Sequence, residues 1–448
     1  MKSRIFLSTA LCLLLSTGAF AAEAQAPAAG TPAPSAEKPA KKSDIWSHLK
    51  PYGFLRTYFA FDTHESYAGT EELFYFIPKD RNLNPEGEDL NETPGFRFAA
   101  LTSRLGLDIF GFEVGDYKFG GKFEMDFFAG LGKGNLNQGG ANVTGTAQLR
   151  LRQAYVTVAN GPRIWKIGQA WHPFAADLPD IFSLDTGMPF GAFNRSPQVN
   201  FEWNYTGWGS ITAALLWQMQ YTSTGPIGEV ADYIKYSCTP ECYLGFNFKT
   251  QKSLFRIGGD VLSIKPRRYD ATGTKKVKDR LTTFNAFAYA QTKADNWTFK
   301  GKVTYSNDGS HMNLFGGYGV NLINADGSWN YTATHTLSGW FTAMARLGNW
   351  QPEMLLGYIE NIGSMKGILA DATGAKMYWE KGNTPSSKVA RAFRIQPELV
   401  YNIGKFQVGI EYMLTAAEYG TPDDYMHATI DQHWVMNHRV QALVKFSF

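Results

Sequence analysis

The chain ends with the stretch His438-Arg-Val-Gln-Ala-Leu-Val-Lys-Phe-Ser-Phe448, and this stretch decides the fold. Five apolar residues, from Val440 to Phe448, occupy alternate positions, and the positions between them include Gln441 and Lys445. A period of two over this length predicts a β-strand with one apolar face and one wet face. The chain stops on the aromatic residue, without a polar tail after it.

The same alternation recurs from Lys50 onward in segments of about ten residues. We count 16 segments, which are joined by eight long connections and seven short turns. In Tyr117–Ala129 the polar positions are all charged, so that face cannot lie against a dry core. An exported sandwich or propeller is the alternative all-β fold, and it does not accommodate such a face.

An even strand number, long loops on one side and short turns on the other are the features of outer-membrane barrels. An alternating strand with a terminal Phe is similar to the closing strand of such barrels, where that end serves as the insertion signal. The sequence therefore predicts an all-β fold, a transmembrane antiparallel β-barrel of about 16 strands. We expect the last strand to pair with Pro51–Asp62 and remove the sheet edge.

The first 21 residues have the pattern of a signal peptide. Lys2 and Arg4 precede the apolar stretch Ile5–Leu15, and Ala19-Phe-Ala21 fits a cleavage site. We predict a signal peptide over residues 1–21, an Ala/Pro-rich periplasmic spacer over 22–48 and the barrel over 49–448. The predicted location is the outer membrane of a Gram-negative bacterium, with outer-membrane lipid around the barrel.

Composition and motifs exclude several classes of function. The 43 Lys and Arg residues nearly balance the 40 Asp and Glu residues, which gives no reason to expect a nucleic-acid partner. The eight histidines are scattered, and no Ser-His-Asp spacing, zinc-type His pair or Gly-rich phosphate loop occurs. We therefore predict no enzyme, no cofactor and no metal site.

Two cysteines remain after the predicted cleavage. Cys238 and Cys242 are spaced C-T-P-E-C in a polar connection. In an exported chain this spacing favours a local disulfide over a metal site, because further metal ligands are absent nearby in the sequence.

The third long connection, Pro173–Arg195, is too apolar for a loop in water. We expect it to fold into the lumen, which in a 16-stranded barrel is too wide for wall side chains to fill. This would present three acidic residues, Asp177, Asp180 and Asp185, to the pore. An outward loop packed in an oligomer interface is the alternative.

Basic residues on the polar parity of the strands are expected to line that pore. The set consists of Arg56, Arg104, Lys122, Arg150, Arg152, Arg256 and Arg394. Rings of Arg or Lys favour anions in channels. The alternative is that these residues only pair with neighbouring carboxylates along the wall.

Three segments resemble the trimeric DcaP-type porins: Gly145–Tyr155, Lys166–Pro173 and Val444–Phe448. They contain an R-L-R-x-A-Y strand, a G-Q-x-W strand leading into the constriction loop, and the aromatic terminus. Stretches such as Phe61-Asp-Thr-His-Glu-Ser and Gln198-Val are similar to porin-like outer-membrane proteins of Bacteroidota.

This resemblance implies a homotrimer of water-filled barrels that admit small, preferably anionic, solutes, and Arg150 and Arg152 match the basic strand of the family. DcaP-type chains can carry a periplasmic coiled coil, whereas Ala22–Lys42 lacks heptads, so trimers would rest on the barrel walls. Gln153 and Gln169, polar on the lipid-facing parity, would suit such a wall.

The sequence thus predicts a porin for passive diffusion of ions and small polar, anionic solutes. Two alternatives stay open. One is a substrate-specific channel with a saturable site, and the other is a surface-binding or adhesion barrel that acts through its long loops, Thr63–Pro94 and Asn307–Thr332.

Overall fold

The computed structural model describes residues 45–69, 73–100, 102–129 and 147–448. The predicted signal peptide, most of the predicted spacer and the second long connection, 130–146, lie outside the described residues.

In the described part of the chain, sixteen antiparallel strands form one barrel, as predicted. The second of them is interrupted and consists of two segments. In chain order the strands are β1 Leu49–Asp62, β2 Gly95–Ala99 with Arg104–Val114, β3 Tyr117–Ala129, β4 Ala147–Asn160, β5 Arg163–Trp171, β6 Arg195–Trp203, β7 Gly209–Leu216, β8 Glu241–Lys249, β9 Ser253–Ile264, β10 Leu281–Ala294, β11 Trp297–Asn307, β12 Trp329–Ala345, β13 Trp350–Ser364, β14 Val389–Ile403, β15 Phe406–Pro422 and β16 Ala428–Ser447.

The remaining elements are short and belong to the connections. They comprise the strands Ser66–Gly69, Phe74–Pro78, Gly317–Ile323 and Tyr378–Glu380, the 3-10 helices Ile45–His48, Pro173–Ala175, Ser310–Met312 and Ser386–Lys388, and the helix α1 Asp232–Ser237. Among the residues that the structure describes, no helix has the length and apolar character needed to cross a membrane.

The barrel closes where β16 pairs with β1. The antiparallel register runs from Phe54 opposite Ser447 to Asp62 opposite Arg439. At the end of this seam the backbones of Gly53 and Phe448 exchange two hydrogen bonds, of 3.3 and 3.0 Å. The expected pairing of the first and last strands is therefore confirmed, and the sheet has no free edge there.

The two faces of the wall differ as the alternation predicts. In β3 the outward Phe119, Phe123 and Phe127 are exposed, whereas the inward Glu124 and Asp126 are only 4% and 1% exposed. Exposed aromatic residues also mark the rim that carries the short turns, namely Tyr117, Trp165, Trp203, Trp208, Trp297 and Trp350. An apolar outer band with an aromatic girdle is the surface that a barrel presents to lipid.

One connection and one strand differ from the sequence prediction. Strands β15 and β16 extend further than expected, so the last connection shrinks from 417–436 to 423–427. The second strand, predicted as continuous, breaks around Thr102, whose φ of 69° lies in the left-handed region. Both segments of β2 nevertheless pair with β1.

A β-bulge changes the predicted orientation of Gln153. Glu124 lies opposite Gln153 and Met125 opposite Leu151, so Arg152 is the extra residue of β4. The bulge turns Gln153 inward, where its amide donates to Glu124 Oε1 at 3.3 Å. Gln169 donates to the backbone oxygens of Leu151 and Arg152, both at 3.1 Å. The expectation that both amides serve a protein–protein wall is thus wrong, because they satisfy groups at the bulge.

We expect removal of Phe448 to reduce insertion more than channel function. Its ring lies over Gly53, where an added Cβ would come within 2.6 Å of the ring, and its backbone closes the seam. The amount of folded barrel in outer-membrane fractions should fall by about tenfold or more, because two exchanged hydrogen bonds of about 1 kcal/mol each correspond to roughly 30-fold in an equilibrium. Phe448→Tyr is the control and should insert normally, and a truncated chain that inserts normally would contradict this role.

Candidate functional site

The segment 173–195 is tied to inward-facing side chains of distant strands. Asp177 pairs with Arg256 of β9 at 2.8 Å, and Asp180 pairs with Lys300 of β11 at 2.6 Å. On the other side, the hydroxyl of Tyr58 in β1 donates to Phe182 O at 2.8 Å. These contacts connect the segment with wall strands that are far apart around the barrel.

The strongest anchor of the segment is a buried ion pair. Arg394 Nη1 of β14 lies 2.7 Å from Asp185 Oδ2, and both side chains are 0% exposed. The other oxygen of Asp185 accepts from Ser183 Oγ and Gly187 N, both at 3.1 Å. All these donors fix the carboxylate, which therefore holds the middle of the segment in one place.

A hairpin in the first long connection also packs against this segment. The run Leu73–Ile77 is buried, and Arg394 Nη2 donates to Phe76 O at 2.7 Å. Phe74 meets Phe193 edge to face at a centroid distance of 5.1 Å. The stretch from His64 to Pro94 is polar overall and predicts a loop, but its five consecutive apolar residues Leu73–Ile77 were a signal for burial.

Beside these packed segments lies a cavity of about 470 Å³. Four of the seven predicted basic residues line it, and so does Asp180. The charged residues of its lining are Arg56, Arg104, Arg150, Arg152, Arg346, Lys445, Asp180, Glu353 and Glu398. The sequence did not predict that Arg346 and Glu353 line a cavity. Both lie at or near the short turn between β12 and β13, where the alternation of polar and apolar residues does not indicate which side chains face inward.

Part of the basic lining is neutralised by carboxylates of β3. Arg152, the bulge residue, contacts Glu124 at 2.8 Å and Asp126 at 2.6 Å. Arg150 forms two hydrogen bonds with Asp126, of 2.9 and 3.0 Å, and Arg104 lies 3.6 Å from Glu124. Three guanidinium groups thus share two carboxylates.

Arg56 and Lys445 differ from these arginines, because no carboxylate of the described residues pairs with either. The guanidinium of Arg56 donates to Thr102 Oγ1 at 2.7 and 3.2 Å, in the break of β2. Arg56, Lys445 and Arg104 all lie about the ring of Phe54, at 4.9, 4.9 and 5.0 Å from its centroid. Neither charge is therefore neutralised by a direct ion pair beside the cavity.

Three glutamates form the neighbouring stretch of wall. The register places Glu353 of β13 opposite Glu398 of β14, and Glu398 opposite Glu411 of β15. Glu398 Oε2 accepts from Phe182 N at 2.9 Å. The cavity thus has basic residues on β1, β2, β4 and β16 and two glutamates on β13 and β14, with Arg346 next to the turn that precedes β13.

A second cavity, of about 350 Å³, contains the predicted Arg256 and also Lys166 and Glu202. Trp171 lines both cavities.

The last two predicted basic residues line neither of the two cavities. Lys122 pairs with Asp108 at 2.7 Å, and Arg394 is used on Asp185 as described.

The predicted disulfide is absent from the structure, in which Cys238 and Cys242 are free and exposed. Cys238 ends helix α1 in a left-handed conformation with φ 55°, and its thiol approaches Lys235 O at 3.7 Å. Cys242 already belongs to β8, and its thiol approaches Pro240 O at 3.7 Å. The helix end and the strand thus give the two thiols different partners.

We expect Asp185→Ala to lower the stability of the barrel by about 3–5 kcal/mol, because it leaves a buried guanidinium without a counter-charge. Asp177→Ala is the matched control and should cost about 1 kcal/mol or less, since Arg256 is 32% exposed. Denaturant unfolding of the reconstituted protein measures both. The double variant Asp185→Ala/Arg394→Met should recover most of the loss, and equal losses in the two single variants would refute the anchoring role.

Comparison with known proteins gives a likeness at the level of structure. No protein-family model matches the sequence, and no curated protein matches it. The outer membrane channel DcaP of Acinetobacter baumannii superposes with a TM-score of 0.61 at 17% identity, covering 89% of this chain and 97% of that chain. An anion-selective porin from Comamonas acidovorans superposes with a TM-score of 0.51 at 11% identity, covering 89% and 99%. The chain therefore has the fold of these outer-membrane channels, and its closed barrel and apolar outer wall place it in the outer membrane of a Gram-negative bacterium.

Proposed function

We propose that the chain is a porin that lets ions and small polar solutes diffuse passively through its lumen, with a preference for anions. The observation that carries the proposal is the charge of the larger cavity, whose lining holds six basic residues and three acidic ones. We also propose that residues 1–21 are a signal peptide for export and that segment 173–195 is the constriction of the pore. The proposed role is that of a channel and not of an enzyme.

The arrangement of the charges supports anion preference as much as their number. Carboxylates offset Arg104, Arg150 and Arg152, but not Arg56 and Lys445. Fixed positive charges in a narrow passage with low-dielectric walls raise the local concentration of anions. The acidic stretch at Glu353 and Glu398 lies beside the basic stretch, so that the field across the cavity orients polar solutes.

The size of the cavity sets the class of solute. A volume of about 470 Å³ is in the range of small-molecule sites, for which about 300–1,000 Å³ is typical. This suits inorganic ions and small organic anions rather than polymers.

We expect the double variant Arg56→Gln/Lys445→Gln to lose much of the anion preference. A unit charge at 5 Å is worth about 0.8 kcal/mol in bulk water, which is roughly a fourfold change in relative permeability per charge. Reversal potentials of the reconstituted protein under a KCl gradient measure this. Lys122→Gln, which removes one positive charge, is the control for each single variant, because Lys122 is paired with Asp108 and lies outside both cavities.

Two outcomes of that experiment would count against the proposal. An unchanged chloride-to-potassium permeability ratio in the double variant would remove the assigned role of Arg56 and Lys445. A silent bilayer with the folded wild-type protein would refute the porin itself and favour a binding barrel. Saturable block of the current by a small organic anion would instead identify the substrate-specific form of the channel.

The homotrimer is also part of this proposal. Phe96 and Phe98 of β2 are 68% and 63% exposed on the outer wall, and Phe98 stacks on Phe59 of β1 at 4.5 Å. A flat aromatic surface next to the closing seam suits contact with a second barrel.

We expect native mass spectrometry in detergent to give three chains per particle. The variant Phe96→Ser/Phe98→Ser should dissociate into monomers, whereas Phe123→Ser, on the outer face of β3, should leave the mass unchanged. A monomeric wild-type protein would contradict the trimer without affecting the pore.

A further inference from the structure

Three buried side chains from distant parts of the sequence meet inside the loop end of the barrel. His172 directly follows β5, Glu241 begins β8, and His311 lies in the 3-10 helix Ser310–Met312. Their exposed fractions are 0%, 1% and 0%. The proposed pore uses none of the three, and none lines either of the two cavities.

The donor atoms converge on one point. His172 Nε2 lies 2.7 Å from Glu241 Oε1, and His311 Nε2 lies 3.6 Å from Glu241 Oε2. One donor atom from each of the three residues lies within 4.8 Å of the others. Donors around one zinc ion lie about 3.3 Å apart when each bond is about 2.0–2.1 Å long, so small side-chain movements suffice.

His311 provides an independent sign that a ligand is bound here. It is completely buried, its Nδ1 has no hydrogen-bond partner among the described residues, and its Nε2 lies 3.6 Å from Glu241 Oε2, just beyond hydrogen-bond distance. Buried polar groups are nearly always satisfied, because an unsatisfied one destabilises the fold. A cation between His311 and Glu241 would satisfy the Nε2 atom that faces the carboxylate.

A further carboxylate stands next to Glu241. Asp260 of β9 is 1% exposed and lies against Glu241, and its Oδ1 accepts from Asn285 Nδ2 at 2.7 Å. Its other oxygen, Oδ2, has no partner among the described residues. Two carboxylates and two neutral imidazoles carry a charge of −2, which one divalent cation neutralises.

We propose that His172, Glu241, His311 and Asp260 bind a divalent transition-metal ion of the zinc class. Imidazole and carboxylate together suit this class, whereas calcium and magnesium prefer sets made only of oxygen. The site would cross-link the start of segment 173–195 to β8 and to the connection after β11. That connection already contacts the end of the same segment, because Phe193 N donates to Met312 O at 2.9 Å.

Metal binding requires one local rearrangement. His172 Nδ1 accepts from Phe174 N at 3.2 Å, so in the structure the proton of this ring lies on Nε2, toward Glu241. Coordination through Nε2 moves that proton to Nδ1 and breaks this bond. The free energy of binding zinc at a structural site is much larger than the loss of one such hydrogen bond.

The test uses the full-length, untagged protein in detergent, stripped with a chelator and titrated with Zn²⁺ in a calorimeter. We expect one Zn²⁺ per chain. His311→Gln and Glu241→Gln should each weaken Zn²⁺ binding by at least about 10–100-fold, which is the effect of losing a group that only orients a metal ligand. Co²⁺ in place of Zn²⁺ should give the visible absorption of a four-coordinate site in the wild type and lose it in both variants.

The control is His438→Gln, which removes an exposed histidine that contacts Tyr412 on the outer wall, and it should bind Zn²⁺ like the wild type. The heat-dependent gel shift of folded barrels shows whether each variant is folded. Folded His311→Gln protein that binds Zn²⁺ with unchanged affinity would overturn the proposal. Absence of stoichiometric binding in the wild type, or displacement of Zn²⁺ by equimolar Ca²⁺, would overturn it as well.

Discussion

The structure depends on one constraint, which is that lipid offers no hydrogen bonds to an unpaired strand edge. A sheet that spans a membrane must therefore close on itself. Here the closure rests on the seam between β1 and β16, where Asp62 and Arg439 lie opposite each other and form a bidentate ion pair of 2.8 and 2.9 Å. The pair is almost completely buried, so the last strand is held by charge on its inner face as well as by its backbone. The backbone of the terminal strand thus closes the wall, and its inward side chains hold it to β1 by an ion pair.

Closure with sixteen strands creates a second requirement, because the interior is too wide for the wall side chains to fill. Parts of three connections pack against wall side chains: the paired strands Ser66–Gly69 and Phe74–Pro78, the segment 173–195, and the connection after β11. Their apolar side chains form one buried cluster with residues of the wall, in which Phe190 and Phe315 are 0% exposed. The polar inner wall binds the backbone and the acidic residues of these segments. The charged cavity borders this apolar cluster, because Phe74 and Phe193 belong to both.

The regular part of this design is accessible from sequence, because a period of two determines which side chains face lipid. This period predicted the number of strands, the pairing of β1 with β16, and the inward direction of residues such as Glu124 and Asp126 in β3. The irregular part was not accessible. The break of β2 at Thr102 and the bulge at Arg152 each shift the parity, and no periodic pattern reveals a single extra residue. Burial of Leu73–Ile77 depends on contacts with residues more than a hundred positions away, which a local pattern does not contain.

The same limit applies to charge. Alternation places an arginine on the inner wall, but only the three-dimensional neighbours decide whether its charge remains uncompensated. Arg150 and Arg152 match the basic motif in sequence, yet both are paired with Asp126. Arg56 has no such motif, and the break of β2 gives it a neutral partner, the hydroxyl of Thr102. The charge of a paired arginine is largely cancelled by that of its carboxylate partner. The electrostatic potential in the cavity therefore depends more on the irregular backbone at Thr102, which positions Arg56, than on Arg150 and Arg152.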